Sequence, residues 1–599
     1  MSRRRPAPAA AAVAPPGPAG PALRAAAIAL GLTLALRALA AFVCTNWLWG
    51  FDVFRPWPLP VRLAFVALSL AGFVPFVAAP VGRALESIGA AWTRAGRAAD
   101  IAAALLVALL LALLRDPMRY PGDFALRVGA IGMAVPSAQI LAHAFPLDRL
   151  FGVEIPRRLA SAGLAPDVAL QLVSAFVGGL FDYVVCRFLR ASGARGGALA
   201  AGALAAASGG LYVHFAGYGK FGPLALGLAL AALGAVRLAR TGAGLLPLAA
   251  GAAIALLSHR SAFLLLPAVA IVLGQAWRAA PEPRARGRVL VAAGAVALAG
   301  GLVLRRSIAL LLQFDRSVHL PGGAIAHARE SAGALPVLVR FADGINALAY
   351  VAPLSWVGLS AMLAAPRAAS AHEDARFSLR LPAALALVAF LALPFGVEPA
   401  GGWVRDWDVA VGTGALLALA GAYALVRALR SAPSPAALAP VALGSLAISL
   451  ASFGLHVSEP AASLRIETLA EATPRWSDAT RAATDDVLGA RALNTGQPAR
   501  AAALFERAIA VGGPNPRLLY QAGLAHAAAG DPARAADRFV LAARANPAVA
   551  SPWAALAQLA EARGDTASAR AFAESALTRD PGEARALRVL DGVTGGARR

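Results

Sequence analysis

Apolar stretches recur along the first three quarters of the chain, at 25–46, 61–80, 100–114, 168–188, 197–213, 222–239, 243–257, 261–276, 289–304, 347–364, 381–395, 409–427 and 436–455. A helix rises 1.5 Å per residue, so ~20 apolar residues cross a hydrocarbon core of ~30 Å. A chain with about 13 such stretches is predicted to fold as an all-α, polytopic transmembrane helical bundle, because only helices and closed barrels satisfy their backbone within lipid. Composition agrees: 59% of residues are hydrophobic and 15% charged, against ~25% charged in soluble domains. The basic residues explain the net charge of +22 without nucleic acid, since they stand singly beside the apolar stretches and form no runs between aromatics. Cys44 and Cys186 both lie within apolar segments, which leaves no disulfide framework. Among its cations Lys220 is the sole lysine, and the Ala- and Arg-rich composition reads as that of a GC-rich bacterial genome.

Arginines in the short loops set the orientation. One set of loops holds Arg83, Arg94 and Arg97; Arg187, Arg190 and Arg195; Arg237 and Arg240; Arg278 to Arg288; Arg367, Arg376 and Arg380; and Arg427 and Arg430. The alternate loops hold most of the loop carboxylates, from Asp52 to Asp408. The expected topology therefore has a cytoplasmic N-terminus and an odd number of spans, in a bacterial inner membrane, with the C-terminal region periplasmic. Residues 1–24 are basic and proline-rich and are expected to be disordered. Arg3 to Arg5 make a basic n-region, but no clear small-x-small cleavage site follows and more apolar stretches come after the first, which therefore reads as an uncleaved anchor. Domain boundaries are expected at 25–460 for the bundle, 461–481 for a linker and 482–599 for a polar helical domain. Two long outer loops, 115–167 and 305–346, mix charge with apolar residues and proline, as in Phe145 to Phe151, and are expected to form short interfacial helices over the outer face.

The C-terminal region repeats with a period of 34: Gly496, Gly530 and Gly564; Ala501, Ala535 and Ala569; Ala508, Ala542 and Ala576; and Pro547 with Pro581. Each proline falls where it ends a helix pair. With Leu488, Gly489 and Phe505, Leu519, Gly523 and Phe539, and Trp553 and Leu556 in register, the region resembles the tetratricopeptide repeat. The resemblance implies a soluble α-solenoid whose concave face binds a protein or peptide partner. Gly512-Gly513-Pro514 replaces a single proline in the first unit, and Phe572 comes one position early in the third.

Charges near a bilayer are costly and are retained where they act. Four clusters lie at outer ends of spans: Arg115-Asp116-Pro117-Met118-Arg119 running to Gly122-Asp123; Gly217-Tyr218-Gly219-Lys220-Phe221; His259-Arg260; and Trp403-Val404-Arg405-Asp406-Trp407-Asp408. Each has a plain structural reading beside the functional one. The Arg-Asp pairs fit interfacial charge pairs, the tryptophans fit belt anchors, Asp123 fits an N-cap of the following helix, and Asp182, Tyr183 and His214 fit helix-to-helix hydrogen bonds. No Walker A, His-Glu-x-x-His or Gly-x-Ser-x-Gly motif is present.

A many-span core with Arg115-Asp116 and Gly122-Asp123 in its first large outer loop, a later Arg405-Asp406-Trp407-Asp408, and a C-terminal outer domain resembles the C-type glycosyltransferases over roughly residues 100 to 455. The resemblance implies transfer of a sugar from a polyprenyl-phosphate carrier to an envelope acceptor. Asp123, with Asp116 second, would act as general base or orient a divalent metal such as Mg or Mn. Arg115, Arg119, Lys220, His259, Arg260, Arg405, Asp406 and Asp408 would bind substrate. Two other readings stand beside it: a transporter or flippase, which usually shows two related halves, and a non-catalytic anchor for the repeat scaffold.

Overall fold

The computed structural model describes residues 20–118, 123–133, 135–141, 143–316, 336–365, 376–397 and 402–596, and among them every regular element is helical. Arg119, Gly122 and the middle of the second long loop lie outside the described residues.

The bundle begins with α1 (Pro21–Ala40), α2 (Leu59–Ala71), α3 (Pro75–Ala95) and α4 (Arg97–Leu113). After α5 (Phe124–Gly132) the first long loop continues as the expected short helices, Pro146–Arg149 and Ile155–Ser161, joined by a wider turn. Then come α6 (Pro166–Ala191), α7 (Gly196–Ala206), α8 (Gly210–Ala216), α9 (Gly222–Thr241), α10 (Leu245–Ser258), α11 (Leu266–Ala279) and α12 (Pro283–Leu310). The bundle closes with α13 (Pro336–Val351), α14 (Ser355–Ala364), α15 (Arg380–Gly396), α16 (Val411–Arg430) and α17 (Ala439–Val457).

Each apolar stretch is helical, but length divides them. Among the described residues seven helices are long and apolar enough to cross a membrane, and the number rises to ten if each of three bent pairs is one span. The expectation of about 13 came from apolar runs alone. Breaks divide three of them, with bends of 74° between α2 and α3, 65° between α7 and α8, and 103° between α13 and α14. The last break carries Pro353, which lacks the N–H that would continue the helix. At the α7–α8 break Gly209 has φ +85°, and a Cβ there would stand 2.4 Å from Pro353 Cδ. Two interrupted helices thus meet break to break.

The bundle wears its apolar side outward. Phe76, Val291 and Leu302 are 81%, 74% and 70% exposed, and exposed apolar surface of this kind marks a face that meets another protein or a membrane. The arginine-bearing loops gather at one end. Arg190 donates from Nε to both oxygens of buried Asp100 at 2.8 and 2.9 Å, Arg240 reaches the carbonyl of Ala191 at 2.6 Å, and Arg240 and Arg430 face each other across Gly193. Asp182 accepts from Tyr212 at 2.7 Å, Arg97 donates to Tyr183 at 3.1 Å, and the Phe221 N–H donates to His214 Nε2 at 3.1 Å, the structural bonds expected of these residues.

The segment expected as a linker is mostly helix. α18 (Glu459–Glu471) lies across the other end of the bundle, where Arg465 donates to Asp52 at 2.8 Å and to the Trp49 carbonyl at 2.7 Å, and Asn46 donates to carbonyls of Leu469, Ala472 and Pro474. Its polar composition hid it, because here the helix is held by ion pairs and hydrogen bonds more than by an apolar stripe.

Three helix pairs follow: α19 (Asp478–Asn494) with α20 (Pro498–Gly512), α21 (Pro516–Ala528) with α22 (Pro532–Ala545), and α23 (Ala550–Ala562) with α24 (Thr566–Arg579), closed by α25 (Ala584–Gly596). Their period has a packing cause. The glycine of the first helix makes room for the phenylalanine of the second: a Cβ on Gly523 would lie 2.5 Å from the Phe539 ring, and one on Gly489 3.0 Å from Phe505. In the third unit Phe572 packs instead against Trp553, with ring centroids 6.3 Å apart. The architecture is that of tetratricopeptide-like hairpins stacked into a short solenoid. Met118, from the first long loop, is buried in the same cluster as Ile466, Leu488 and Phe505, and Glu459 accepts from Arg491 at 2.7 Å. The solenoid is therefore docked on the bundle.

Candidate functional site

The site is built where α5, the α8–α9 turn and the start of α16 converge, at the end of the bundle opposite the arginine loops. Gly219, at φ +55°, turns the chain tightly against Ser174 and sets Tyr218 and Lys220 on either side of the bend. Asp123 stands at the N-cap position of α5, but its carboxylate makes no cap bond. Lys220 Nζ holds it instead, at 2.5 Å, while the Asp123 N–H donates to the Tyr218 hydroxyl at 3.2 Å. That hydroxyl in turn donates to buried Asp408. Asp123, Lys220, Tyr218 and Asp408 form one connected network.

Charge explains its state. Burial alone would raise the Asp123 pKa, but the Lys220 charge and hydrogen bond, helped by Arg127 and His143, outweigh it and hold the carboxyl below its ordinary range. Burial, then the Asp408 and Asp123 charges, push the Tyr218 phenol well up, so it stays a donor. Arg127 is fully buried and clasps Asp148 with bonds of 2.7 and 2.9 Å, which pins α5 to the short helix Pro146–Arg149 of the same loop. Removing Asp148 would leave a buried guanidinium without its main counter-charge.

The other expected residues fall around this network. His259 accepts the Ser261 N–H at Nδ1, packs its ring 5.0 Å from Phe221, and is kept neutral by burial and by Arg260, Lys220 and Arg127. Lys220 Nζ sits 5.2 Å from the same Phe221 ring. Arg405 approaches Asp406 at 4.0 Å, and Asp406, Lys220 and Asp123 are the charged neighbours of Asp408. Asp116 accepts the Met118 N–H at 2.8 Å and stands on the far side of Tyr218, lining a cavity of about 80 Å³ with Tyr350, Trp407, His456 and Arg465. Arg115 is exposed. Arg119 lies outside the described residues.

Sequence reading placed Tyr218 in the lysine cluster without giving it a role, and it missed the parts of Arg127 with Asp148, which hold α5, and of His456 and Arg465, which line the small cavity with Asp116. Only Tyr218 had a local signal, being enclosed by glycines beside the one lysine. As for a metal, Asp123 has its carboxylate engaged by Lys220, and among the described residues no three His, Cys, Asp or Glu side chains are grouped to hold an ion. The donor set does not fit a resident divalent cation.

No family model matches the chain, and no curated protein matches it. Solved structures similar to it include the Sgt2 TPR domain from Aspergillus fumigatus, with 20% identity over 20% of this chain and 79% of that one, at a TM-score of 0.19. Another is the APC/C hetero-tetramer Cut9-Hcn1, with 12% identity over 91% of this chain and 90% of that one, at a TM-score of 0.21. At these scores neither likeness bears on the site.

Proposed function

We propose that the chain is a membrane glycosyltransferase that moves a sugar from a polyprenyl-phosphate carrier to an envelope acceptor at the outer face of a bacterial inner membrane. In this reading the arginine-rich end is cytoplasmic, and the solenoid is periplasmic and recruits a protein or peptide partner. The single observation that carries the reading is the Lys220–Asp123 contact of 2.5 Å joined through Tyr218 to Asp408. A carboxylate and a cation share one place at the rim of an apolar bundle, where a lipid phosphate can arrive laterally.

The chemistry is balanced with these groups alone. The acceptor hydroxyl oxygen attacks the anomeric carbon, and the bond from that carbon to the phosphate oxygen breaks with its electron pair. The hydroxyl proton passes to Asp123, and the departing phosphate is met by Lys220. A phosphate that draws Lys220 toward itself removes the largest influence lowering the Asp123 pKa, so burial then raises its proton affinity. Tyr218 and Asp408 position Asp123 through its backbone. The test is transfer of labelled sugar in proteoliposomes. Asp123→Asn should lower the rate by roughly 10²- to 10⁴-fold with the protein correctly inserted, whereas full activity would remove the base from the proposal.

One observation favours a transporter instead: the facing breaks at Gly209 and Pro353 lie beneath the site, and transporters use interrupted helices to bind their cargo. Counterflow of substrate across sealed vesicles, unaffected by Asp123→Asn, would support that reading over transfer.

A further inference from the structure

A second cavity, lined by described residues, is remote from the network above. It measures about 420 Å³, within the roughly 300–1,000 Å³ of small-molecule sites. Its body is apolar, walled by Leu228, Val236, Val272, Met362, Ala386 and Leu416 from α9, α11, α14, α15 and α16. Polarity appears chiefly toward the arginine-rich end, where Ser378, Arg380, Tyr423 and Arg427 line it. No Asp or Glu lines it among the described residues. Among the described residues, Arg240 and Arg430 are charged neighbours of Arg427 at this mouth of the chamber. Two of its walls, α11 and α15, are peripheral: Trp277 of α11 is 36% exposed, and Leu381 and Val388 of α15 are more than half exposed.

We propose that this cavity is a binding site for one anionic phospholipid, with an acyl chain in the apolar chamber and the phosphate at Arg380 and Arg427. An apolar cavity of this size rejects water and accepts hydrocarbon, and a guanidinium with five N–H donors suits a phosphate. Arg380 uses Nη2 for the Ala365 carbonyl at 2.8 Å, and Arg427 uses Nη1 for the Tyr423 hydroxyl at 2.6 Å; these bonds orient both side chains at the rim. The proposal rests on the bilayer part of the reading above and not on sugar transfer. The lipid comes from the leaflet at the arginine-rich end, away from Asp123.

The test uses the full chain, purified in detergent, incubated separately with phosphatidylglycerol and phosphatidylcholine, and examined by native mass spectrometry. Phosphatidylglycerol should be retained at least tenfold more than phosphatidylcholine. Joint Arg380→Gln and Arg427→Gln substitution should abolish that preference while leaving the apolar walls intact. Filling the chamber with Ala232→Phe and Ala420→Phe should reduce retention of both lipids. Equal retention of the two lipids by the unaltered protein would overturn the proposal, as would an unchanged preference in the arginine variant. Complete displacement of phosphatidylglycerol by an equimolar polyprenyl phosphate would also overturn it, by assigning the site to the carrier. Equal retention of the two lipids, or an unchanged preference in the arginine variant, leaves the Asp123 prediction untouched, so the two proposals fail separately.

Discussion

The bundle and the solenoid are both all-helical, yet they use small residues and charges in opposite ways. In the bundle glycine brings backbone to backbone: a Cβ on Gly358 of α14 would lie 1.9 Å from the Gly421 carbonyl of α16. In the solenoid glycine makes room for a ring, as Gly523 does for Phe539. Close backbone packing is how helices associate where hiding apolar surface contributes little, as in the lipid surroundings proposed for the bundle, whereas helices in water gain most by burying large side chains. Charge follows the same division. The bundle places its ion pairs at its two ends, such as Asp100 with Arg190 and Asp123 with Lys220, while the solenoid spreads them between neighbouring helices, such as Glu506 with Arg538 at 2.7 Å. A pair that joins neighbouring repeats fixes shape; Asp123 with Lys220, at the rim of the bundle, is the pair that the proposed function assigns to a ligand.

That contrast breaks most visibly at Gly358. Gly358→Val must push α14 away from α16 with no flexible neighbour to yield, and should cost more than about 3 kcal/mol, the upper end of overpacking, read as a lowered thermal midpoint of the bundle in detergent. Next comes Lys220→Met, which should reduce transfer roughly 10²- to 10³-fold by loss of phosphate stabilisation. It should also move the acid limb of the pH–rate profile upward. With Lys220 present, the depressed Asp123 pKa keeps the base ionised into mildly acidic solution, and its contribution to stability is lost only as pH falls through that low value. Without Lys220, burial dominates and protonation begins at higher pH. An unmoved acid limb would show that the 2.5 Å contact does not govern the base.

Smaller effects sharpen the boundary between the regions. Arg465→Leu removes one of two partners of buried Asp52 and one clamp on α18, and should cost about 2–3 kcal/mol as a lost charge-assisted bond. Its signature is increased hydrogen exchange in 459–471 with the repeat pairs unchanged. Gly523→Ala should cost about 1–2 kcal/mol by overpacking against Phe539, measured as a lower midpoint of the solenoid transition with the bundle transition unmoved. If Gly523→Ala instead disturbed the bundle first, the two regions would not be separate packing units.

How much of this was legible in the chain depends on how local each cause is. The 34-residue period was plain because Gly523 and Phe539, and Gly489 and Phe505, recur at fixed spacing within one hairpin. The apolar helices were plain for the same reason, but their division was not: hydropathy does not register the breaks at Gly209 and Pro353, whose geometry depends on each other. α18 escaped notice because Arg465 and its neighbours find their partners more than 400 residues away. In the site, Asp123, Lys220 and Asp408 were visible as unusual residues, while the link between them was not. Tyr218 connects residues 95 and 190 positions apart, and no periodicity encodes such a contact.

The central claim is that the carboxylate at Asp123, held by Lys220 at the rim of the bundle, takes the acceptor's proton during sugar transfer. The direct measurement is the single-turnover rate of transfer from a radiolabelled polyprenyl-phosphate sugar in proteoliposomes, for the unaltered protein and for Asp123→Asn inserted in the same orientation. The account predicts a fall of roughly 10²-fold or more with donor binding retained. Equal rates in the two proteins, or no transfer from any such donor by the unaltered chain, would contradict it.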